Sequence, residues 1–161
     1  MQADLLRMGS DIVRSKRFGK ARSIPHHFDV DVASHSLNAA RRALALCRWL
    51  NRHGASLSEE DAVRVSLLHD LGMTNDDVFQ SHPKIKAHTH PVESALIARE
   101  EFGANDVMLD AILFHMWPIG HVPPHHLLGW ILWAADKLSF IQESGNYTAR
   151  VLAHRMAQAR S

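Results

Sequence analysis

The stretch "LLGWILWAADKLSF", residues 127–140, constrains this chain more than any other. Its apolar residues cover more than one face of a helix, and a helix that is apolar all round belongs in an interior. Asp136 stands in the middle of it. A carboxylate taken out of water without compensation is strongly destabilising, so buried acids are paired or bind metal. The fold must therefore bring Asp136 a partner. That partner is an arginine, the adjacent Lys137 if the acid is partly exposed, or a metal centre built with residues from elsewhere.

The rest of the chain reads as helix almost throughout. Leu5, Leu6, Ile12 and Val13 predict a helix over 3–17, stopped by Gly19. Leu37, Ala40, Leu44 and Cys47 recur at steps of three and four, predicting a helix over 31–52 that ends at Gly54. Ser58, with Asp61 three residues on, opens the next helix in the manner of a capping box. Ala62, Val65, Leu68 and Leu71 form its apolar face, and Gly72 reads as its stop. Residues 73–89 read as a polar loop with a short turn near Asp76–Gln80. Helices follow over 91–102, with Pro91 in the first turn, and over 105–117. After the break "PIGHVPPHH" come the apolar helix 127–141 and an amphipathic one over 147–159. No alternating strand pattern or repeat is visible. The expectation is all-α: a single compact helical bundle of six or seven helices, one domain over 1–161.

Composition narrows the function. A net charge of +1 gives no argument for a nucleic-acid polymer or a membrane surface as partner. No segment approaches the roughly 20 apolar residues of a membrane span, and no signal-peptide pattern opens the chain, so a cytoplasmic protein is the default expectation. The lone Cys47 excludes an internal disulfide and a cysteine-based zinc ribbon. Against that ordinary background stand 13 histidines. His35 lies on the first strong helix, and His69-Asp70 end the next. His90 begins a helix in "THPVES", and His115 ends one in "ILFHMW". With Asp136, these are imidazoles and carboxylates at helix ends or on apolar helices, a known way to build a metal site in a bundle. Nitrogen and oxygen ligands without thiolate suit Fe, Mn, Zn, Co, Ni or Mg.

The order His35…His69-Asp70…Asp136 resembles the HD superfamily of metal-dependent phosphohydrolases. "HDLG" is similar to that family's central element. "HP" at 90–91, and a histidine near the end of the following helix, resemble the members that carry two metals. The likeness covers about residues 25–140. It implies that His35, His69, Asp70 and Asp136 bind a first divalent ion. Asp70 would bridge to a second ion bound by His90 and His115. Met116 and "MWPIGHVPP" depart from the members that cut cyclic dinucleotides, as does Met73 after the His-Asp element.

The expected chemistry is hydrolysis of a small phosphorylated molecule, such as a nucleotide, by metal-activated water, with His69 and Asp70 at its centre. A di-iron oxygenase of the same superfamily, and a silent metal-binding module, are the alternatives. Lys84 and Lys86, in the loop after the His-Asp pair, and Lys137 are the candidate phosphate holders. The Lys137 side chain points about 100° away from that of Asp136, so it would rim the pocket. His26, His27, His121, His125 and His126 lie in loops, and His27 is chosen as the general acid because it closely precedes His35. His53, His82 and His154 read as surface residues, and Trp117, Trp130 and Trp133 as core. The last helix offers a surface through which two copies could pair as a homodimer.

Overall fold

Residues 2–75 and 83–158 are described by the structure, a computed structural model. Three short helices open it: α1 (Gln2–Met8), α2 (Ser10–Val13) and α3 (Lys16–Ala21). The sequence pattern predicts one helix here, but it is interrupted at Gly9 and broken again by Ser15. Its hydroxyl accepts from the Phe18 N–H at 3.0 Å, capping a new helix. Gly19 lies inside α3 and stops nothing. A two-stranded antiparallel hairpin follows, β1 (Pro25–His27) and β2 (Val30–Asp31). Strands this short carry no readable alternation, which is why the sequence pattern misses them.

The long helices come next. Asp31 ends β2 and caps α4 (Val32–Arg52), accepting from the Ser34 N–H at 2.8 Å. Gly54, at φ +97°, closes the far end. Ser58 caps α5 (Glu59–Leu68) as its motif predicts, accepting from the Asp61 N–H. A 3-10 turn spans Leu71–Thr74. Then come α6 (Pro83–Phe102), α7 (Asp106–Phe114) and α8 (Leu127–Gln158). The expectation of an all-α fold holds, with eight α-helices among the described residues. None is long and apolar enough to cross a membrane.

Two boundaries differ from expectation in ways that matter later. α6 begins eight residues before Pro91, so that proline lies inside the helix, and 83–89 is helix where a loop is expected. The turn expected near 76–80 lies outside the described residues. The two helices expected over 127–141 and 147–159 are one continuous helix, because Gly145 does not break it.

α4 packs against both α5 and α8, and α7 packs on α8. Phe18, Leu44, Leu67, Leu68, Leu71, Ile112 and Leu132 are fully enclosed between them. Each such side chain contributes roughly 2 kcal/mol by leaving water. α8 is not buried all round, as its composition suggests. It buries one stripe: Leu128, Ile131, Leu132, Ala135, Asp136, Ser139 and Glu143. Phe140 and Ile141 face out, and Trp117, Trp130 and Trp133 form a half-buried cluster rather than core. Asp136 therefore lies on the buried stripe itself.

Gly72 has a different role from a helix stop. α5 has already ended at Leu68. A Cβ on Gly72 would stand 2.4 Å from the His90 carbonyl oxygen and 2.7 Å from the Ser94 nitrogen. Its N–H donates to Ser94 Oγ at 2.8 Å. The bare glycine lets the chain after Asp70 lie directly on the α6 backbone beside His90. Gly72→Ala is expected to lower stability by about 3 kcal/mol in urea denaturation, since the clash is with backbone that cannot step aside.

Candidate metal centre

Three helix ends and one buried stripe converge on Asp70. His69 is the C-cap of α5 and His115 the C-cap of α7. The last carbonyls of a helix lack intrahelical partners, and both rings use them. His69 Nδ1 donates to the Ser66 carbonyl at 2.8 Å, and His115 Nδ1 to that of Ile112 at 2.7 Å. A carbonyl only accepts, so Nδ1 carries a proton, and Nε2 of each ring faces inward. His35 enters from the first turn of α4, His90 from α6 and Asp136 from α8.

Asp70 sits between two groups of nitrogens. Its Oδ2 is 3.2 Å from His69 Nε2, 3.1 Å from His26 Nε2 and 3.9 Å from His35 Nε2. Its Oδ1 is 3.2 Å from His90 Nε2 and 3.7 Å from His115 Nε2. Asp136 Oδ1 accepts from His35 Nε2 at 2.9 Å and lies 3.9 Å from His69 Nε2. All of these side chains but His26 are buried. Their ligand atoms fall into overlapping groups able to hold a cation: His35, His69 and Asp70; His69, His115 and Asp136; Asp70, His90 and His115.

The donor set fits a divalent cation. His69 Nε2 is buried without a hydrogen bond, although Asp70 Oδ2 is near it. His90 Nε2 and His115 Nε2 face each other at 3.1 Å. With its Nδ1 proton on the Ile112 carbonyl, the neutral His115 ring can only accept at Nε2, from a proton on His90 Nε2 or from a cation. Nitrogen and carboxylate donors without sulfur suit the borderline and hard divalent ions.

Burial works against charge on His35, but its bonds to Asp136 and Glu143 prevail and raise its pKa to about 10. His69 is also raised despite its burial, by Asp70. His115 goes the other way: burial, then neighbouring His69 and His90, push it down to about 3. Burial lowers His26 too, with Asp70 opposing. Burial tends to raise the three acids, and in each the neighbouring charges and hydrogen-bond donors prevail. Asp70 is held well below the usual range by His69 and His26. Asp136 is held low by its bond to His35, then by His69 and Lys137. Glu143 is held low by bonds to His27, His35 and Asn38.

The structure thus brings together the six residues expected to hold metal. It separates the other candidates. His27 Nε2 is 2.6 Å from Glu143 Oε2, and it is His26, beside it on β1, that reaches Asp70. Lys137 does not stand apart from Asp136: its Nζ is 2.7 Å from Asp136 Oδ2. Lys84 and Lys86 lie on α6 rather than in a loop, and their side chains, like His82, fall outside the described residues. His125 pairs with Asp110, and His121 and His126 are exposed. Sequence reasoning passes over Glu143. Its signal is a spacing of seven from Asp136, which places both on one face. That signal is lost once the helix is broken at residue 141.

Comparison with known proteins agrees with this geometry. A family model described as the HD domain matches residues 32–141. No curated protein matches the chain, and no solved structure does.

The shifts set a pH profile for chelator-treated protein. The folded pKa of His35 is raised, so its contribution is complete below about pH 6.5 and fades as pH rises towards 10. His115 is depressed, so its contribution is present above about pH 6.5 and is lost as pH falls towards 3. Glu143 and Asp136, held low, lose theirs below about pH 4. The melting temperature is expected to peak near pH 6.5 and fall on both sides. A steady rise from pH 7 to 10 in differential scanning calorimetry contradicts the assignment.

Proposed function

Since the chain belongs to the HD domain family, we propose that it is a metal-dependent hydrolase of a small phosphate ester, such as a nucleotide. The observation that carries this reading is the division of Asp70. One carboxylate oxygen faces the His35 and His69 nitrogens, and the other faces those of His90 and His115. In this reading His35, His69, Asp70 and Asp136 hold one ion, and Asp70, His90 and His115 hold a second. Bound ions would activate a water for attack on phosphorus and polarise the phosphoryl oxygens.

The chain's own residues supply the rest. Lys137 neutralises the outer oxygen of Asp136, which keeps Oδ1 directed at His35 and His69. The carbonyls of Ser66 and Ile112 hold two imidazoles with Nε2 inward before any ligand arrives. A departing alkoxide needs a proton. His26 Nε2 touches Asp70 and its side chain is 17% exposed. With one edge open to solvent and its Nε2 beside Asp70, it is placed for proton transfer to the leaving oxygen, ahead of His27, whose Nε2 faces Glu143 and not Asp70. Lys84 and Lys86 keep the proposed role of phosphate holders.

The convergence of all six nitrogen and oxygen ligands also supports a second reading, a di-iron oxygenase of the same superfamily. The two part cleanly in experiment. Phosphate release from a phosphomonoester panel, or alcohol release from a phosphodiester panel, with Mn²⁺ and without O₂, supports the hydrolase. Substrate-dependent O₂ consumption by the iron-loaded protein supports the oxygenase.

Two outcomes follow from the assignment. Mn²⁺ uptake by chelator-treated protein at pH 7 is expected to release about one proton or more, because imidazoles must be neutral to ligate. Release is read by calorimetry in buffers of different ionisation enthalpy. Asp70→Ala is expected to lose metal uptake and to lower kcat/KM about a thousandfold, roughly 4 kcal/mol of transition-state stabilisation. Full metal content and activity in that variant would sink the centre.

A further inference from the structure

One buried acid has no part in the mechanism above. Glu143 lies on α8 seven residues beyond Asp136 and is 4% exposed. Both its oxygens are engaged. Oε2 accepts from His35 Nδ1 at 3.0 Å and lies 2.6 Å from His27 Nε2. Oε1 accepts from Asn38 Nδ2 at 2.8 Å. The carboxylate thus ties α8 to α4 and to β1.

His35 differs from His69 and His115 in one respect. Those two rings sit at helix C-termini, where free carbonyls take the Nδ1 proton. His35 sits in the first turn of α4, where carbonyls accept from amides four residues on. No backbone acceptor is left to set its ring, so the acceptor must come from elsewhere in the fold. Glu143 is that acceptor, 108 residues away in sequence. The same oxygen holds His27, next to His26, whose Nε2 rests on Asp70.

We propose that Glu143 is a positioning residue whose carboxylate sets the ring of His35 and latches the β1–β2 hairpin beside Asp70. The first half rests on the metal-centre reading above, and the second does not. Glutamine at this position keeps an oxygen for His35 and His27 and gives up only the acceptor used by Asn38 Nδ2. Aspartate keeps the charge but falls one methylene short, and alanine removes both.

The test uses the full chain, stripped and titrated with Co²⁺ alone, in Glu143→Ala, Glu143→Asp and Glu143→Gln. The Ala and Asp variants are expected to bind Co²⁺ about 10–100-fold more weakly with altered visible absorption, and Gln to stay within about threefold of wild type. If the Ala variant fails to fold by circular dichroism, the Asp variant carries the comparison. Folded Ala and Asp variants that bind like wild type overturn the proposal. So does a Gln variant as weak as Ala, because charge and not placement would then be the contribution. The second readout needs no metal. Amide hydrogen exchange over residues 24–34 is expected to rise in Ala and Asp and to stay low in Gln, and equal exchange in all variants overturns the latch. Wild-type protein that takes up no Co²⁺ defeats the metal-centre reading, while the exchange result still decides the role of Glu143.

Discussion

A desolvated carboxylate at the end of α5 organises this molecule. Asp70 is 2% exposed, and an anion so placed persists only with positive or hydrogen-bonding groups on every side. The fold meets that demand with imidazoles from four helices and a hairpin. Gly72 brings the 3-10 turn onto α6 beside His90. α7 ends where His115 can face the other Asp70 oxygen. Each helix boundary near the centre is therefore also a decision about where a nitrogen points.

Helix ends serve this purpose because their chemistry is unfinished. The last turn of α5 and of α7 leaves carbonyls that need donors, and His69 and His115 supply them. One contact satisfies the backbone and fixes the tautomer that turns Nε2 inward. The first turn of α4 offers no such carbonyl, so His35 draws its acceptor from the far part of α8. Local structure suffices for two of these rings, and long-range packing is needed for the third.

Much of this was legible from residue spacing. The caps at Ser58 and Gly54 and the apolar faces of α4 and α5 follow from local rules that tertiary packing left intact. Asp136 announced a buried acid because a carboxylate set among Leu, Ile and Trp on a helix goes inside with them and must find a partner there. Other features were hidden for definite reasons. The β1–β2 hairpin is too short to show alternation. Pro91, usually a sign of a helix start, lies inside α6. Gly145, usually a break, lies inside α8, and a break there would separate Glu143 from the helix face it shares with Asp136.

The sequence by itself determined the helical class and the residue types of the centre, because periodicity, caps and stranded polar residues are local signals. It determined that Asp136 needs a partner, but not that His35 and Lys137 would be the ones. Only the tertiary structure decided that His26 reaches Asp70 while its neighbour His27 turns to Glu143. The two rings lie 4.2 Å apart and both pack on His35, because the strand pairing is irregular between Pro25 and His27, and which carboxylate each one reaches depends on what the hairpin packs against. Only packing, too, brought Glu143 to His35, since a contact across 108 residues leaves no trace in local pattern.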